Sequence, residues 1–358
     1  MLPAIFALFF AFIGVCYAVP APTTKRLPSR VVSAGSPAVI DPAGVYIRAT
    51  SLKEGGILVG YAASEGTEHI LRTAKSTDGG QTWHHQGEVY RAASAAHDID
   101  NAFPLQLPSG RILYAYRNHD RDSSGFTFYR ITISYSDDGG KTFKYLSTVN
   151  QLKAAGVNGL WEPFLRLAND GTLQCYYSGE NSANDQDGFM QQSSDGGKTW
   201  SYPITVSGQG RTSRDGMIGV AKIDERGNLI AVFENTESGF FSIDYVLSHD
   251  DGHSWGERGR LYTAKNNGEA IAPQVINVGG TLVASFMTDE STGGNGADGA
   301  QMKVVTSTNG GKTWSSSSVT GDVASHWPGL FTRDSSHFLA LYAKNGLGAV
   351  SQLYQLSN

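Results

Sequence analysis

Glu162, in the run Trp161-Glu162-Pro163-Phe164, and Glu234, in Val232-Phe233-Glu234-Asn235, are the residues of this chain whose type and placement best suit catalysis. Two carboxyl groups facing one cleft can divide the work of breaking a glycosidic bond. One donates a proton to the leaving oxygen, and the other attacks the anomeric carbon or activates water. That division requires the two side chains, 72 positions apart in the chain, to be brought to one surface.

The elements that position them follow from an internal repeat. The pattern Ser-x-Asp-x-Gly-x-Thr/Ser-aromatic occurs five times, at Ser76–Trp83, Ser136–Phe143, Ser193–Trp200, Ser248–Trp255 and Ser307–Trp314, with spacings of 60, 57, 55 and 59 residues. Between these turns lie β-prone runs joined by a second turn, such as Pro163 to Leu167 before Leu173 to Tyr177 and Met217 to Ile223 before Leu229 to Phe233. Six such units are present. A fixed period of this length in short strands predicts an all-β, six-bladed β-propeller with four-stranded antiparallel blades. The sixth unit lacks its own Asp-box turn and fourth strand. Residues near Arg30 to Ile40 are expected to pair with Ala349 to Leu356 and close the ring, which also removes two exposed strand edges.

In each unit the turn between strands one and two and the Asp-box turn between strands three and four share a face. The starts of strand one and the ends of strand two lie on the opposite face, near the axis, where loops from all blades converge. This alignment places Arg48, Asp100, Asn101, Trp161, Glu162, Arg214, Asp215, His326 and Trp327 at strand-one starts, and Arg117, Glu234 and Lys344 at strand-two ends. The position of Glu234 is Ala62, Arg117, Ser178, Met287 or Ala343 elsewhere, so an acid there is peculiar to blade four. The Asp-box acids are read as structural: Asp binds turn backbone, Gly takes the strained conformation and the aromatic packs between strands.

Around the glutamate pair, substrate-binding candidates are Asn101, Trp161, Asp215, Arg117, Arg214, His326 and Trp327. Trp161 either floors a sugar subsite or packs in the core. Asn101 and Asp215 either bind sugar hydroxyls or cap turns. His326 is expected to hydrogen-bond at the rim, and Arg117 and Arg214 to ion-pair with the two glutamates. The Gly-rich stretch Gly293 to Gly299 follows strand two of blade five and is expected to wall the site. No His, Cys and Asp spacing points to a metal, and no cofactor is expected.

The 28 basic and 33 acidic residues are nearly balanced, which gives no reason to expect nucleic acid or a membrane as partner. Ala4 to Val15 forms an apolar core of signal-peptide length, with Cys16 and Ala18 at the −3 and −1 positions of a cut after Ala18. The expected organisation is a signal peptide over residues 1–18, a tail over 19–29 and one propeller over 30–358, secreted and monomeric. Cys175 is then the lone cysteine of the mature chain and is expected to be a buried hydrophobe.

The five Asp boxes resemble those of the sialidase-type propeller superfamily. More narrowly, Gly159-Leu-Trp-Glu-Pro-Phe-Leu165, Tyr177-Ser-Gly-Glu-Asn181 with Asp185-Gln-Asp187, Arg214-Asp-Gly-Met217 and Ala231-Val-Phe-Glu-Asn235 are similar to fungal exo-1,5-α-L-arabinanases of glycoside hydrolase family 93, a resemblance extending over nearly all of the mature chain. It implies a retaining hydrolase that releases arabinobiose from the non-reducing end of linear α-1,5-L-arabinan, a polysaccharide substrate, with Glu162 and Glu234 as the catalytic pair. Trp161 and Pro163 are apolar neighbours that favour a neutral Glu162, while Asn235 and Thr236 can hydrogen-bond a charged Glu234. Glu162 is therefore assigned as general acid/base and Glu234 as nucleophile. The alternatives on the same fold are a sialidase or other exo-glycosidase and a non-catalytic sugar-binding propeller. A sialidase start would read Arg-Ile-Pro, whereas Arg48 is followed by Ala49 and Thr50.

Overall fold

In a computed structural model that describes residues 30–294 and 296–357, the chain forms six antiparallel blades around an axis. The expected signal peptide and tail lie outside the described residues. The inner strands are Val45–Ser51, His97–Gln106, Leu160–Leu167, Gly216–Lys222, Ala270–Val278 and Ser325–Thr332. Each pairs with the strand that follows it: Ile57–Glu65, Ile112–Asp122, Leu173–Ser182, Leu229–Asn235, Thr281–Thr288 and His337–Lys344. These second strands are almost wholly buried, because blades pack on both their faces. Ile230, Val232 and Phe233 of blade four are completely covered. Such strands read as continuous apolar runs rather than alternating ones.

The ring closes as the repeat count requires. Gly348–Ser357 is the third strand of blade six, and the N-terminal strands Arg30–Ser33 and Ala38–Asp41 pair antiparallel along it. The Asp-box turns are self-contained. Asp138 Oδ1 accepts the backbone N–H groups of Lys141 and Thr142, each at 3.0 Å, and the Ser136 hydroxyl at 2.7 Å. The Thr142 hydroxyl on Oδ2, together with those bonds, holds its carboxyl far below the usual carboxylate range. The turns also lock blade to blade. A hydroxyl of the preceding blade bonds a box glycine carbonyl, as Thr73 does to Gly140 at 2.8 Å and Ser351 does to Gly80 at 3.1 Å across the closure. Cys175 is buried, and burial pushes its thiol up.

One feature of the inner strands sets the site geometry. Each carries a bulge at the same place, where two of its residues face one residue of strand two. The first bulged residue is in every case non-glycine with positive φ: Tyr46 (54°), Asn101 (58°), Glu162 (47°), Met217 (55°), Ala272 (56°) and Trp327 (54°). Left-handed backbone at a non-glycine residue costs roughly 1–2 kcal/mol. The fold accepts that cost six times at one level of the axis, and backbone strain of this kind gathers at functional sites.

Candidate active site

The six bulge residues and the strand-two residues opposite the positions just before them form a double ring. Bulge positions supply Tyr46, Asn101, Glu162, Met217, Ala272 and Trp327. Strand-two positions supply Ala62, Arg117, Ser178, Glu234, Met287 and Ala343, each opposite the residue just before the bulge. The ring is two-sided. Blades two to four bring Asn101, Arg117, Glu162, Ser178 and Glu234. Tyr46, Met217, Ala272, Met287 and Trp327 cluster as an apolar wall that includes Ala300.

Blades are stitched together at this level. The bulge N–H of one blade donates to the strand-two side chain of the blade before it: Met217 N to Ser178 Oγ at 3.0 Å, Ala272 N to Glu234 Oε2 at 2.7 Å, and Trp327 N to Met287 Sδ at 3.5 Å. Glu234 therefore accepts a fixed backbone donor. Glu162 Oε2, by contrast, is buried without a hydrogen-bond partner.

Both carboxyl groups are enclosed by protein yet keep part of their surface open, as at the floor of a well. Burial raises the Glu162 carboxyl to about 8. The neighbouring Glu234 charge adds to the rise, and Arg117 and the Ser178 hydroxyl oppose it. Burial raises Glu234 to about 7, opposed by the Ala272 N–H and by Arg214 and assisted by Glu269. Two carboxyls that feel each other inside protein do not both ionise readily. The arrangement favours one shared charge, carried by Glu234 with its backbone donor, and a neutral Glu162 able to give a proton.

The other sequence candidates divide. Asn101 and Trp327 stand on the ring; Asn101 Oδ1 accepts Arg117 Nη1 at 3.0 Å. Trp161 is core packing with one partly open face, against His119 at 4.8 Å and Tyr129 at 6.1 Å between ring centroids, with the Arg117 guanidinium 5.2 Å away. Asp215 has no exposed side chain and is spent on Arg258, with contacts of 2.5 and 3.2 Å. His326 is buried, and its Nε2 meets Asn345 Oδ1 at 3.0 Å. Neither Arg117 nor Arg214 forms the expected ion pair with a ring glutamate. Arg117 binds Asp98 at 3.1 Å and Asp100 at 3.6 Å, and Arg214 binds Glu180 at 2.8 Å. They act on the glutamates through their field instead.

Sequence reasoning passed over Tyr46, Asp98, Glu180 and Glu269. Tyr46 was recoverable, since it occupies in blade one the place of Glu162 in blade three. Gly293 to Gly299 follows strand two of blade five, and Gly296–Gly299 is a helical turn beside a pocket of about 120 Å³ lined by Glu269, Ile271 and Met287. Among the described residues no group of three or more His, Cys, Asp or Glu side chains is placed to hold a metal.

Fold and ring together define a six-bladed Asp-box propeller with a carboxyl pair at the axis. The BNR repeat-like domain matches residues 146–345 and the BNR/Asp-box repeat matches residues 74–85, and the chain belongs to the BNR repeat-like family. No curated protein matches it. Among solved structures it is similar to the GH93 α-L-arabinofuranosidase of Fusarium graminearum with arabinobiose, at 21% identity over 89% of this chain and 94% of that one, with a TM-score of 0.69. It is also similar to the Penicillium chrysogenum α-L-arabinanase complexed with arabinobiose, at 21% identity over 91% and 96%, with a TM-score of 0.67. The NanB sialidase of Streptococcus pneumoniae is more distant, at 12% identity over 88% and 68%, with a TM-score of 0.62.

Proposed function

We propose that this protein is a secreted, retaining glycoside hydrolase that cleaves linear α-1,5-L-arabinan from the non-reducing end and releases arabinobiose. The observation that carries the reading is the unequal treatment of two carboxyl groups on one ring. Glu234 is held by a backbone donor, and Glu162 is raised by burial and by Glu234 and keeps an unpartnered oxygen. That is the order a double displacement needs: the carboxyl that gives up its proton first, Glu234, serves as nucleophile, and the one that holds it longer, Glu162, supplies it to the leaving oxygen. Once the glycosyl group is on Glu234, that residue's charge is gone, and Glu162 becomes acidic enough to act as base toward water.

The substrate assignment is supported by the α-L-arabinanase and α-L-arabinofuranosidase neighbours with arabinobiose. The apolar wall of Tyr46, Met217, Met287 and Trp327 suits the carbon face of a neutral sugar. A carboxylated sugar would ask for free arginines. Arg117 and Arg214 are already committed to acids, and Arg48 is only 2% exposed. Secretion is supported by the apolar leader read from the sequence. Incubating the protein with linear arabinan and, in parallel, with a sialoside tests the reading. Arabinobiose as the sole early product is expected. Free sialic acid, or no product from either, overturns it.

A further inference from the structure

Tyr46 holds in blade one the bulge position that Glu162 holds in blade three, with the same left-handed backbone, φ 54° against 47°. Contacts between inner strands run from each blade to the next and from blade six back to blade one, so blade one faces blade four across the axis. Tyr46 therefore stands across the ring from Glu234. Two neighbours fix its aromatic ring. The Arg48 guanidinium carbon lies 4.0 Å from its centroid, and the Trp327 ring centroid lies 6.4 Å away, tilted by 44°.

The hydroxyl at the end of that ring is the part the fold leaves unused. Among the described residues it donates to no acceptor. Tyr46 is 5% exposed, and the little surface it keeps includes the phenol oxygen. Burial drives the phenol well above the ordinary tyrosine value; Arg48 opposes that rise, and Glu162 and Asp100 add to it. The group thus stays protonated, a donor within reach of the charged half of the ring. Arginine offers a phenol only N–H groups, so Arg48 cannot take its proton. A hydroxyl so enclosed calls for a partner, and phenylalanine would serve for packing alone. The missing acceptor must come from what enters the ring.

We propose that Tyr46 is a sugar-contacting residue of the reaction: its phenol donates a hydrogen bond to one hydroxyl of the bound sugar and steadies that sugar from across the ring against Glu234. The inference rests on the reading that this ring cleaves a glycoside, and it names one contact within that reading. The sugar is then held between two fixed points. The Ala272 N–H sets Glu234 on one side, and Arg48 and Trp327 set the phenol on the other. Such bracketing favours attack because the anomeric carbon is kept within reach of the carboxylate. The contact selects for a hydroxyl at one position of a neutral sugar, not for a charge.

Tyr46→Phe keeps the ring and its packing on Trp327 and Arg48 and removes the O–H alone. The probes are an aryl arabinobioside and its analogues, each lacking one hydroxyl. On the intact substrate Tyr46→Phe should lose about tenfold in kcat/KM. On one deoxy analogue it should match the native chain, because the partner of the phenol is already gone. A merely structural role would lower all the substrates alike. In crystals of Glu162→Gln with the intact substrate, the phenol oxygen should stand about 3 Å from a sugar oxygen. Equal losses on every substrate, no loss on any, or a phenol turned away from the sugar overturns the proposal. If the native chain cleaves a different glycoside, the arabinan reading fails by itself, and the deoxy series of that glycoside decides Tyr46. A chain that cleaves no glycoside overturns both.

Discussion

Ala272 donates its backbone N–H to Glu234 Oε2 across 2.7 Å, so the carboxylate of blade four is held by the strained bulge of blade five. Glu162 has no such donor to Oε2 and feels the charge of Glu234. Replacing Glu234 by Gln removes that charge while keeping the volume. The Glu162 carboxyl, raised to about 8 in part by Glu234, should then titrate at lower pH. Carbon-13 NMR of the side-chain carboxyl against pH measures it. An unmoved midpoint would mean that the two groups do not share a field.

The same pair makes a stability prediction. Both carboxyls titrate above the ordinary value of 4.5, at about 8 and about 7. Between those limits the folded chain holds more protons than the unfolded one, so this pair's contribution to stability falls as pH rises through the window. Glu162→Gln with Glu234→Gln should therefore be more stable than the native chain at pH 8, by several kcal/mol, and should show no such gain at pH 4. Urea unfolding at the two pH values provides the comparison. A gain of equal size at both would point to packing rather than charge.

The repeat made most of this legible. Period and strand count carry the blades, the ring closure and the shared rim of Glu162 and Glu234, because antiparallel connection fixes which strand ends share a face. Side-chain direction beyond that rim was not legible. Met217 and Ala272 have no chemistry in common with Glu162, and left-handed backbone at non-glycine residues leaves no mark in a sequence. Asp215 and Gly216 are neighbours in the chain. Gly216 pairs with Glu234 at the ring, while Asp215 turns to Arg258, 43 residues away. The ion pairs of Arg117 with Asp98 and of Arg214 with Glu180 are likewise set by cross-strand and inter-blade packing, which local patterns do not encode.

Asp215 offers a contrast with the ring. Its buried carboxylate faces an arginine that also binds Asp244 at 2.8 Å and lies 4.8 Å from the Phe233 ring centroid. Replacing Asp215 by Ala leaves part of that charge uncompensated and should cost about 3–5 kcal/mol. Arabinan KM for the folded fraction should stay near the native value. A normally stable variant with a raised KM would return Asp215 to the list of sugar binders.

Asp138 tests the opposite face. Its carboxylate gathers two backbone donors and two hydroxyls within one turn. Asp138→Ala should lower stability by about 1–3 kcal/mol. Turnover per folded molecule should be unchanged, since the turn lies at the far end of the blade from the ring. A folded variant with a tenfold loss of kcat would show that the Asp-box face takes part in the reaction.

The division of labour between the glutamates yields to a product experiment. Gln at either position should remove most activity while the chain keeps its far-ultraviolet spectrum and cooperative melting. On an aryl arabinoside with a good leaving group, the Glu162→Gln variant still lets Glu234 attack, because departure then needs no proton. The glycosyl group waits on Glu234 for want of a base, and azide, which needs none, takes it with a second inversion. The product is arabinosyl azide of retained configuration. In Glu234→Gln, or more openly in Glu234→Gly, azide must approach the bound sugar directly from the nucleophile's side. One displacement gives the inverted azide. The structure favours this order because Glu234 is the glutamate with the fixed donor and Glu162 the one with the free, buried oxygen. Inverted azide from Glu162→Gln and retained azide from Glu234→Gly would exchange the two roles. No azide product from either variant, with the native chain releasing the opposite anomer to its substrate, would replace double displacement by a single water-mediated step.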